Sequence, residues 1–168
     1  MTENDLVNRI EEHQEKSKKE EEVQEIRYIK FLVFRIKEKK YAFYASEVRE
    51  IVLDIPRFYV PFTPPYVRGF INRHGEPYTV IDPNVLFEKE ANESSTYLIL
   101  NMQDDHLACM ISDIHEIMKV PENEIHLITA EEEENGFFLG AITSEGEDIF
   151  IINLQSILQR LEYDFETG

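Results

Sequence analysis

Few residues of this chain have the type and spacing that catalysis requires. The single cysteine, Cys109, lies in the apolar run Leu107 to Ile111, and no base or oxyanion loop accompanies it. A catalytic thiol needs a base that deprotonates it and a group that stabilises the developing anion. The sequence therefore favours a small buried hydrophobic residue at this position. A lone cysteine also rules out an intramolecular disulfide, which fits a reducing cytoplasm.

Motifs for metals and nucleotides are missing from the sequence as well. The five histidines are scattered, without the HxxxH or CxxC spacing of a metal site. The run Glu131 to Gly136 holds four adjacent carboxylates. Because a calcium loop alternates its ligands around a glycine, this run is predicted to be a solvated loop. No glycine-rich phosphate loop or GxSxG elbow occurs. The sequence therefore predicts a binding module without metal or cofactor, and not an enzyme.

The stretch around which the chain is organised is Val67 to Phe87, VRGFINRHGEPYTVIDPNVLF. Residues that are β-branched or aromatic lie on both sides of a turn at Arg73 to Glu76, which predicts a β-hairpin. Gly75 suits this turn because a residue without Cβ adopts a positive φ at little cost. A short helix is predicted from Asp82 to Phe87, directly after the hairpin.

The same pattern recurs in Phe138 to Leu158, FLGAITSEGEDIFIINLQSIL, at an offset of 71 residues (140 − 69). A second pair of segments, Phe31 to Val52 and Tyr97 to Met118, repeats at an offset of 66 (97 − 31). Each of these copies predicts a β-hairpin followed by a short connection. The internal repeat predicts a mainly β fold of two small β-barrels or sandwiches, with subdomains at residues 26–92 and 93–168. A C-terminal amphipathic helix is predicted from the spacing of Leu154, Ile157, Leu158 and Leu161.

Composition limits the possible partners. The chain has 168 residues, of which 42% are hydrophobic, and this suffices for one ordinary domain or two small ones. Its formal charge is 17 − 34 = −17, and such a field repels phosphate backbones and anionic lipid surfaces. The start of the chain lacks the pattern of a signal peptide, and no apolar run approaches the ~20 residues that span a bilayer. We therefore expect a cytoplasmic protein without nucleic-acid binding or membrane insertion.

Two segments differ in character from the repeated hairpins. Residues 1–25 are polar and densely charged, so a flexible or partly helical extension is predicted, with a partner-binding helix as the alternative. Asp54 to Pro65 contains four prolines, which fix φ and remove backbone donors. A stiff, extended connector is therefore predicted. Its aromatic residues are expected to pack on the flank of the first barrel; they are Phe58, Tyr59, Phe62 and Tyr66.

The duplicated pattern resembles the CheW family of bacterial chemotaxis coupling proteins. The resemblance covers residues 27–161 and rests on four marks in order: YAFYASEVREIV, VPFTPPYVRGFINRHGEPYTVID, ACMISDIHEIM and FLGAITSEGEDIFIINLQSIL. It implies two five-stranded β-barrels side by side and no enzymatic activity. It also implies a cytoplasmic adaptor, recruited to membrane receptor arrays, that links methyl-accepting chemoreceptors to the regulatory domain of the histidine kinase CheA. Other CheW-like proteins are further implied partners.

The resemblance also implies which residues contact these partners. A groove between the barrels is implied to take the helical tip of the receptor. Its lining would be Val48, Glu50 and Ile51 on the first barrel, with Thr96 and Leu98 on the facing second barrel. The hairpin turn is implied to contact the kinase or the receptor through Arg68, Asn72, Arg73, His74 and Gly75.

The turn departs from the family pattern, in which an arginine precedes the glycine. Here the residue is His74, which is mostly neutral at neutral pH, whereas arginine is a permanently charged, forked donor. Arg73 is adjacent, but strand alternation predicts that its side chain points to the opposite face. Two alternatives to the coupling function stay open. One is a CheW-like scaffold for a different kinase or sensor system outside chemotaxis. The other is a small-molecule or enzyme module, which requires a polar pocket with shifted titratable groups.

Overall fold

The structure is a computed structural model that describes residues 2–23, 25–129, 131–132 and 136–168. The acidic run predicted to be a solvated loop includes residues 133–135, which lie outside the described residues. Three α-helices are present in the described ranges: α1 (Glu3–Val23), α2 (Pro83–Glu88) and α3 (Leu154–Thr167). None of these helices is long and apolar enough to cross a membrane.

The strands follow the same order in the two copies of the repeat. The first six are β1 (Tyr28–Ile36), β2 (Lys39–Tyr44), β3 (Val48–Leu53), β4 (Arg57–Phe58), β5 (Val67–Arg73) and β6 (Glu76–Ile81). The next six are β7 (Thr96–Leu100), β8 (Leu107–Ile111), β9 (Asp113–Pro121), β10 (His126–Leu127), β11 (Phe138–Ser144) and β12 (Glu147–Ile152). Each strand of the first copy thus has a counterpart six strands later. Each copy also ends in a helix, α2 or α3.

Both copies of the glycine turn have the backbone geometry of a tight hairpin. His74 and Gly75 have φ angles of 52° and 79°, and Glu145 and Gly146 have φ angles of 51° and 79°. Two successive positive φ angles are typical of a type I′ turn, whose twist matches that of the strands it joins. As a result, β5 pairs with β6 and β11 pairs with β12 as antiparallel neighbours.

The twelve strands form two six-stranded sheets that exchange hairpins. Sheet A has the order β10-β11-β12-β2-β1-β9, and sheet B has the order β3-β7-β8-β6-β5-β4. The first hairpin, β1–β2, therefore belongs to the sheet of the second copy, and β7–β8 belongs to the sheet of the first. The junctions are the parallel pairs β2–β12 and β6–β8. The predicted boundary between residues 92 and 93 thus separates the two copies of the repeat, not the two sheets.

The prediction of a mainly β fold is confirmed by these two sheets. The prediction of two closed five-stranded barrels stays a prediction, because each sheet is an order of six strands with two edges. One of the six is only two residues long in each case, β4 in sheet B and β10 in sheet A.

The apolar core is divided into three clusters. One contains Leu32 of β1, Leu98 of β7 and Ile157 of α3, so it joins both sheets and the C-terminal helix; we call it the central cluster. The second cluster belongs to sheet B, and the third to sheet A. Cys109 is a free, buried member of the central cluster, as predicted for a small hydrophobic residue.

The proline-rich connector departs from the sequence prediction. Tyr66 is buried, and Phe58 stacks on Phe70 with ring centroids 5.2 Å apart. Tyr59 and Phe62, however, are 83% and 103% exposed. The expectation that all four aromatic residues pack on the barrel flank is therefore wrong for these two. Phe62 has a φ of 61°, so the backbone turns sharply at this residue.

Candidate functional site

The residues predicted to line the groove lie on two neighbouring strands, β3 and β7. Ile51 is paired directly with Leu98. Leu53 is paired in the same way with Thr96. Because directly paired residues of antiparallel strands share a face, these four side chains lie on one face of sheet B. That face adjoins the central cluster, against which Val48 also packs.

The structure corrects two of the predicted groove positions. Thr96 and Leu98 belong to β7, which is hydrogen-bonded to β3 in the same sheet, so they do not face β3 across a groove. The exchange of hairpins between the sheets is the reason. Leu98 is also fully buried in the central cluster and offers no surface to a partner. By contrast, Ile51 is 44% exposed, and Val48 and Thr96 are half-buried.

Glu50 lies on the other face of β3 and connects this strand to the hairpin turn. A register irregularity between Val48 and Glu50 interrupts the alternation of the strand. Arg73 donates to Oε1 of Glu50 through Nε at 2.9 Å and also through Nη2. His74 Nε2 lies 3.9 Å from Oε2 of the same carboxylate. The hydrogen bond from Arg73 lowers the pKa of Glu50. One carboxylate therefore links the groove strand to the predicted contact turn.

The turn itself differs from the prediction made from strand alternation. Arg73 and His74 were expected to point to opposite faces, yet both side chains approach Glu50. His74 has a φ of 52° and belongs to the turn, where the alternation of the strand has ended. Asn72, His74 and Gly75 are exposed, whereas Arg73 is half-buried.

Arg68 uses its donors within the chain. Its Nη1 donates to Asp82 at 2.8 Å and its Nη2 donates to Glu93 at 2.6 Å, and the side chain is only 16% exposed. Asp82 is fully buried and also accepts hydrogen bonds from the backbone N–H groups of Asn84, at 3.1 Å, and Asn92, at 2.7 Å. Burial raises the pKa of Asp82, and the three hydrogen bonds oppose this rise. The guanidinium of Arg68 therefore links β5 to the start of α2 through Asp82, and to the segment before β7 through Glu93.

Two exposed apolar residues were missed by the sequence reasoning. Leu53 is 62% exposed on β3, one place beyond Val52 on the same side as Ile51. Ile117 of β9 is exposed and is paired with Leu32 of β1, a member of the central cluster. Ile117 stands 66 residues after Ile51 (117 − 51), which is the offset of the repeat. The repeat alone could therefore have identified Ile117.

Neither a cluster of metal ligands nor a reactive thiol is found in the part of the chain that the structure describes. No group of three or more His, Cys, Asp or Glu side chains there could hold a metal ion. Burial raises the pKa of Cys109, so its thiol is protonated at neutral pH. Burial likewise raises the pKa of Glu47 to about 7, and its Oε2 is buried without a hydrogen bond among the described groups. The β3 surface, by contrast, exposes the apolar side chains of Ile51 and Leu53 on one face, which suits the apolar side of an amphipathic helix.

Comparison with known proteins gives a consistent result. The family model described as CheW-like domain matches residues 30–162. No curated protein matches the chain. Among solved structures, the chain is similar to the scaffolding protein TtCheW from Thermoanaerobacter tengcongensis. The two share 25% sequence identity and superpose with a TM-score of 0.67, over 76% of this chain and 90% of that chain.

Proposed function

The chain belongs to the CheW-like domain family, and we propose that it is a non-enzymatic adaptor that couples the cytoplasmic tips of chemoreceptors to the histidine kinase CheA. The similar structure is that of a scaffolding protein, which supports an adaptor function for this chain. The adaptor is cytoplasmic and is recruited to membrane receptor arrays through these partners. The observation that carries the proposal is the exposed apolar strip of β3, formed by Ile51 and Leu53.

The β3 strip is the part of the surface that receives the receptor tip. A helix that docks in a groove presents apolar side chains at intervals of three and four residues, with polar ones on their flanks. Ile51 and Leu53 offer an exposed apolar surface, with Val48 half-buried beside them. Glu50 and Arg73 form their ion pair on the other face of the strand. The apolar face of β3 is therefore the part that meets the apolar side of such a helix.

The turn at residues 72–75 is the second contact region, for the kinase or for the receptor. His74 brings the exposed residues of the turn next to Glu50, so a partner at the turn and a partner on β3 are close to each other.

The ion pair between Arg73 and Glu50 also supports closure of sheet B into a barrel. Arg73 belongs to β5, next to one edge of the sheet, and Glu50 belongs to β3, which is the other edge.

Direct binding tests this proposal. A receptor signalling-tip fragment and the regulatory domain of CheA are titrated separately into the full chain by isothermal calorimetry. Ile51→Asp is expected to weaken receptor binding at least tenfold, because a central apolar anchor becomes a charge that must be desolvated. The matched control is Leu127→Asp, which places the same charge on the exposed strand β10 of the other sheet. Equal loss in both variants would show that β3 is not the receptor site.

The main alternative is a CheW-like scaffold for a different kinase or sensor system. The observation that favours it is His74, whose imidazole lacks the forked donors of the arginine that the family pattern has at this place. Binding of the unmodified chain to neither the receptor tip nor the CheA regulatory domain would support this alternative and defeat the coupling function.

A further inference from the structure

Helix α1 carries an apolar stripe that nothing covers in the single chain. Leu6, Val7 and Ile10 are each about half exposed, and all of residues 2–17 are exposed. These three residues share one face of the helix because neighbours on a helical surface are three or four places apart. Glu3 precedes Leu6 by three places and Val7 by four, so it lies on the same face. The stripe is therefore apolar with a carboxylate at its N-terminal end.

A cleft on the body of the protein is also open. It has a volume of about 620 Å³ and lies between the proline-rich connector, α2 and α3. Most of its lining is apolar, and its charged residues are Lys89, Arg160 and Asp164. The apolar residues that matter here are Phe62, Pro64, Val85 and Leu86.

Phe62 is held in a conformation that free phenylalanine avoids. Its φ of 61° falls in the left-handed region, which is unfavourable for a bulky residue, and its side chain is fully exposed beside the cleft. Strained residues of this kind concentrate at sites of function. Large aromatic side chains are, in addition, typical anchors of protein interfaces. Both features indicate that a partner covers Phe62.

Lys89 is the cation of the cleft that is available to a partner. Arg160 is held by Asp164 at 2.9 Å, and Asp164, which also lines the cleft, accepts a hydrogen bond from Tyr66 at 2.8 Å. Lys89 has no ion-pair partner among the described residues, although the chain carries a net charge of −17. The described side chains of α1 are acidic in balance: Glu3, Asp5, Glu11, Glu12 and Glu15 against Arg9 and Lys16. A helix whose apolar stripe ends in the carboxylate of Glu3 therefore matches the apolar lining and Lys89.

We propose that two copies of the chain form a two-fold dimer in which α1 of each copy lies in the cleft of the other. Leu6, Val7 and Ile10 pack against Phe62 and the apolar lining, and Glu3 lies near Lys89. A second copy is the occupant because the chain supplies both complementary surfaces. A two-fold axis then covers both stripes and both clefts in one reciprocal interface. This interface uses none of the residues of the β3 strip or of the turn.

Sedimentation equilibrium of the full chain tests the dimer. The unmodified chain is expected to dimerise, and Phe62→Ala and Ile10→Asp are each expected to weaken the dimer at least tenfold, since every substitution acts at two sites. The control is Leu127→Ala, which removes an exposed apolar side chain of β10. Leu127 belongs neither to α1 nor to the lining of the cleft, so this substitution is expected to leave the dimer unchanged.

Charge reversal tests the register of the helix in the cleft. Lys89→Glu is expected to weaken the dimer, and addition of Glu3→Lys to that variant is expected to restore it, because the ion pair is re-formed with opposite polarity. A chain that stays monomeric up to its solubility limit would overturn the proposal. A dimer that Phe62→Ala and Ile10→Asp leave intact would overturn it too. So would a monomer whose α1 amides are protected from hydrogen exchange, since α1 would then occupy its own cleft.

Discussion

Replacing Asp82 by alanine removes a carboxylate on which three parts of the chain converge. Asp82 caps α2 by accepting the N–H of Asn84, accepts the N–H of Asn92, and binds the guanidinium of Arg68. It is fully buried, so water cannot replace the lost acceptor. The matched position in the second copy is Asn153, which caps α3 by accepting the N–H of Ser156 at 3.3 Å.

The magnitude follows from these contacts. Loss of a helix cap costs about 1 kcal/mol. A buried N–H left without an acceptor, here that of Asn92, costs a further ~1–2 kcal/mol. Arg68 keeps Glu93 as a partner, so the loss of its second carboxylate adds only about 1 kcal/mol and not the full cost of an unpaired buried charge. Asp82→Ala is therefore expected to lower the free energy of unfolding by roughly 3–4 kcal/mol, and Asn153→Ala by about 1 kcal/mol.

Urea unfolding followed by circular dichroism measures both variants. The free energy of unfolding is obtained by linear extrapolation, and an unchanged slope shows that the comparison concerns stability alone. If Asp82→Ala costs no more than Asn153→Ala, then the buried cluster around Arg68 contributes nothing beyond the helix cap, and the assignment of Arg68 to an internal contact is wrong.

Three further predictions concern the backbone, a buried acid and the contact turn. Gly69→Ala places a Cβ 2.1 Å from the carbonyl oxygen of Phe58, whereas a Cβ at Gly75 meets nothing within 4 Å. The free energy of unfolding should therefore fall by ~3 kcal/mol or more for Gly69→Ala and by only ~1 kcal/mol for Gly75→Ala, and similar losses would refute the clash. Glu47 holds its proton in the folded state up to a pKa of about 7, against 4.5 as the ordinary value, so its burial destabilises the fold as pH rises between these values. Glu47→Gln should thus raise stability by ~1–2 kcal/mol at about pH 8 and leave it unchanged at about pH 5; an equal gain at both would contradict the role of ionisation. His74→Arg should strengthen binding to the CheA regulatory domain or the receptor tip in calorimetry, because the guanidinium offers a forked, permanently charged set of donors that an imidazole lacks; unchanged affinity for both would show that the position makes no contact.

Local patterns in the sequence predicted the elements of the fold well. The glycine turn at Gly75 and the helix after it are specified by neighbouring residues, so the hairpin β5–β6 and α2 appear where the sequence places them. The repeat offsets of 71 and 66 likewise identify equivalent strands in the two copies. These signals are local, and they do not depend on which strand becomes the neighbour.

The exchange of hairpins could not be predicted for the same reason. The apolar sequence of β7 suits a central strand of either sheet equally well. The sequence of β7 therefore does not identify the strand with which it pairs. The position of Leu98 followed from that choice: beside β3, it is paired with Ile51 and buried. The sequence prediction was also wrong for Phe62. An aromatic ring predicts burial, but this side chain is fully exposed, at a point where the backbone turns with a φ of 61°.

The proposed adaptor joins a receptor to a kinase, and a bridging experiment measures this joint binding. A receptor signalling-tip fragment is immobilised, and retention of the CheA regulatory domain is measured with and without the full chain. We expect the kinase domain to be retained only when the chain is present, and Ile51→Asp to abolish this retention whereas Leu127→Asp does not. Retention that is the same with and without the chain, or no retention with it, would refute the adaptor function.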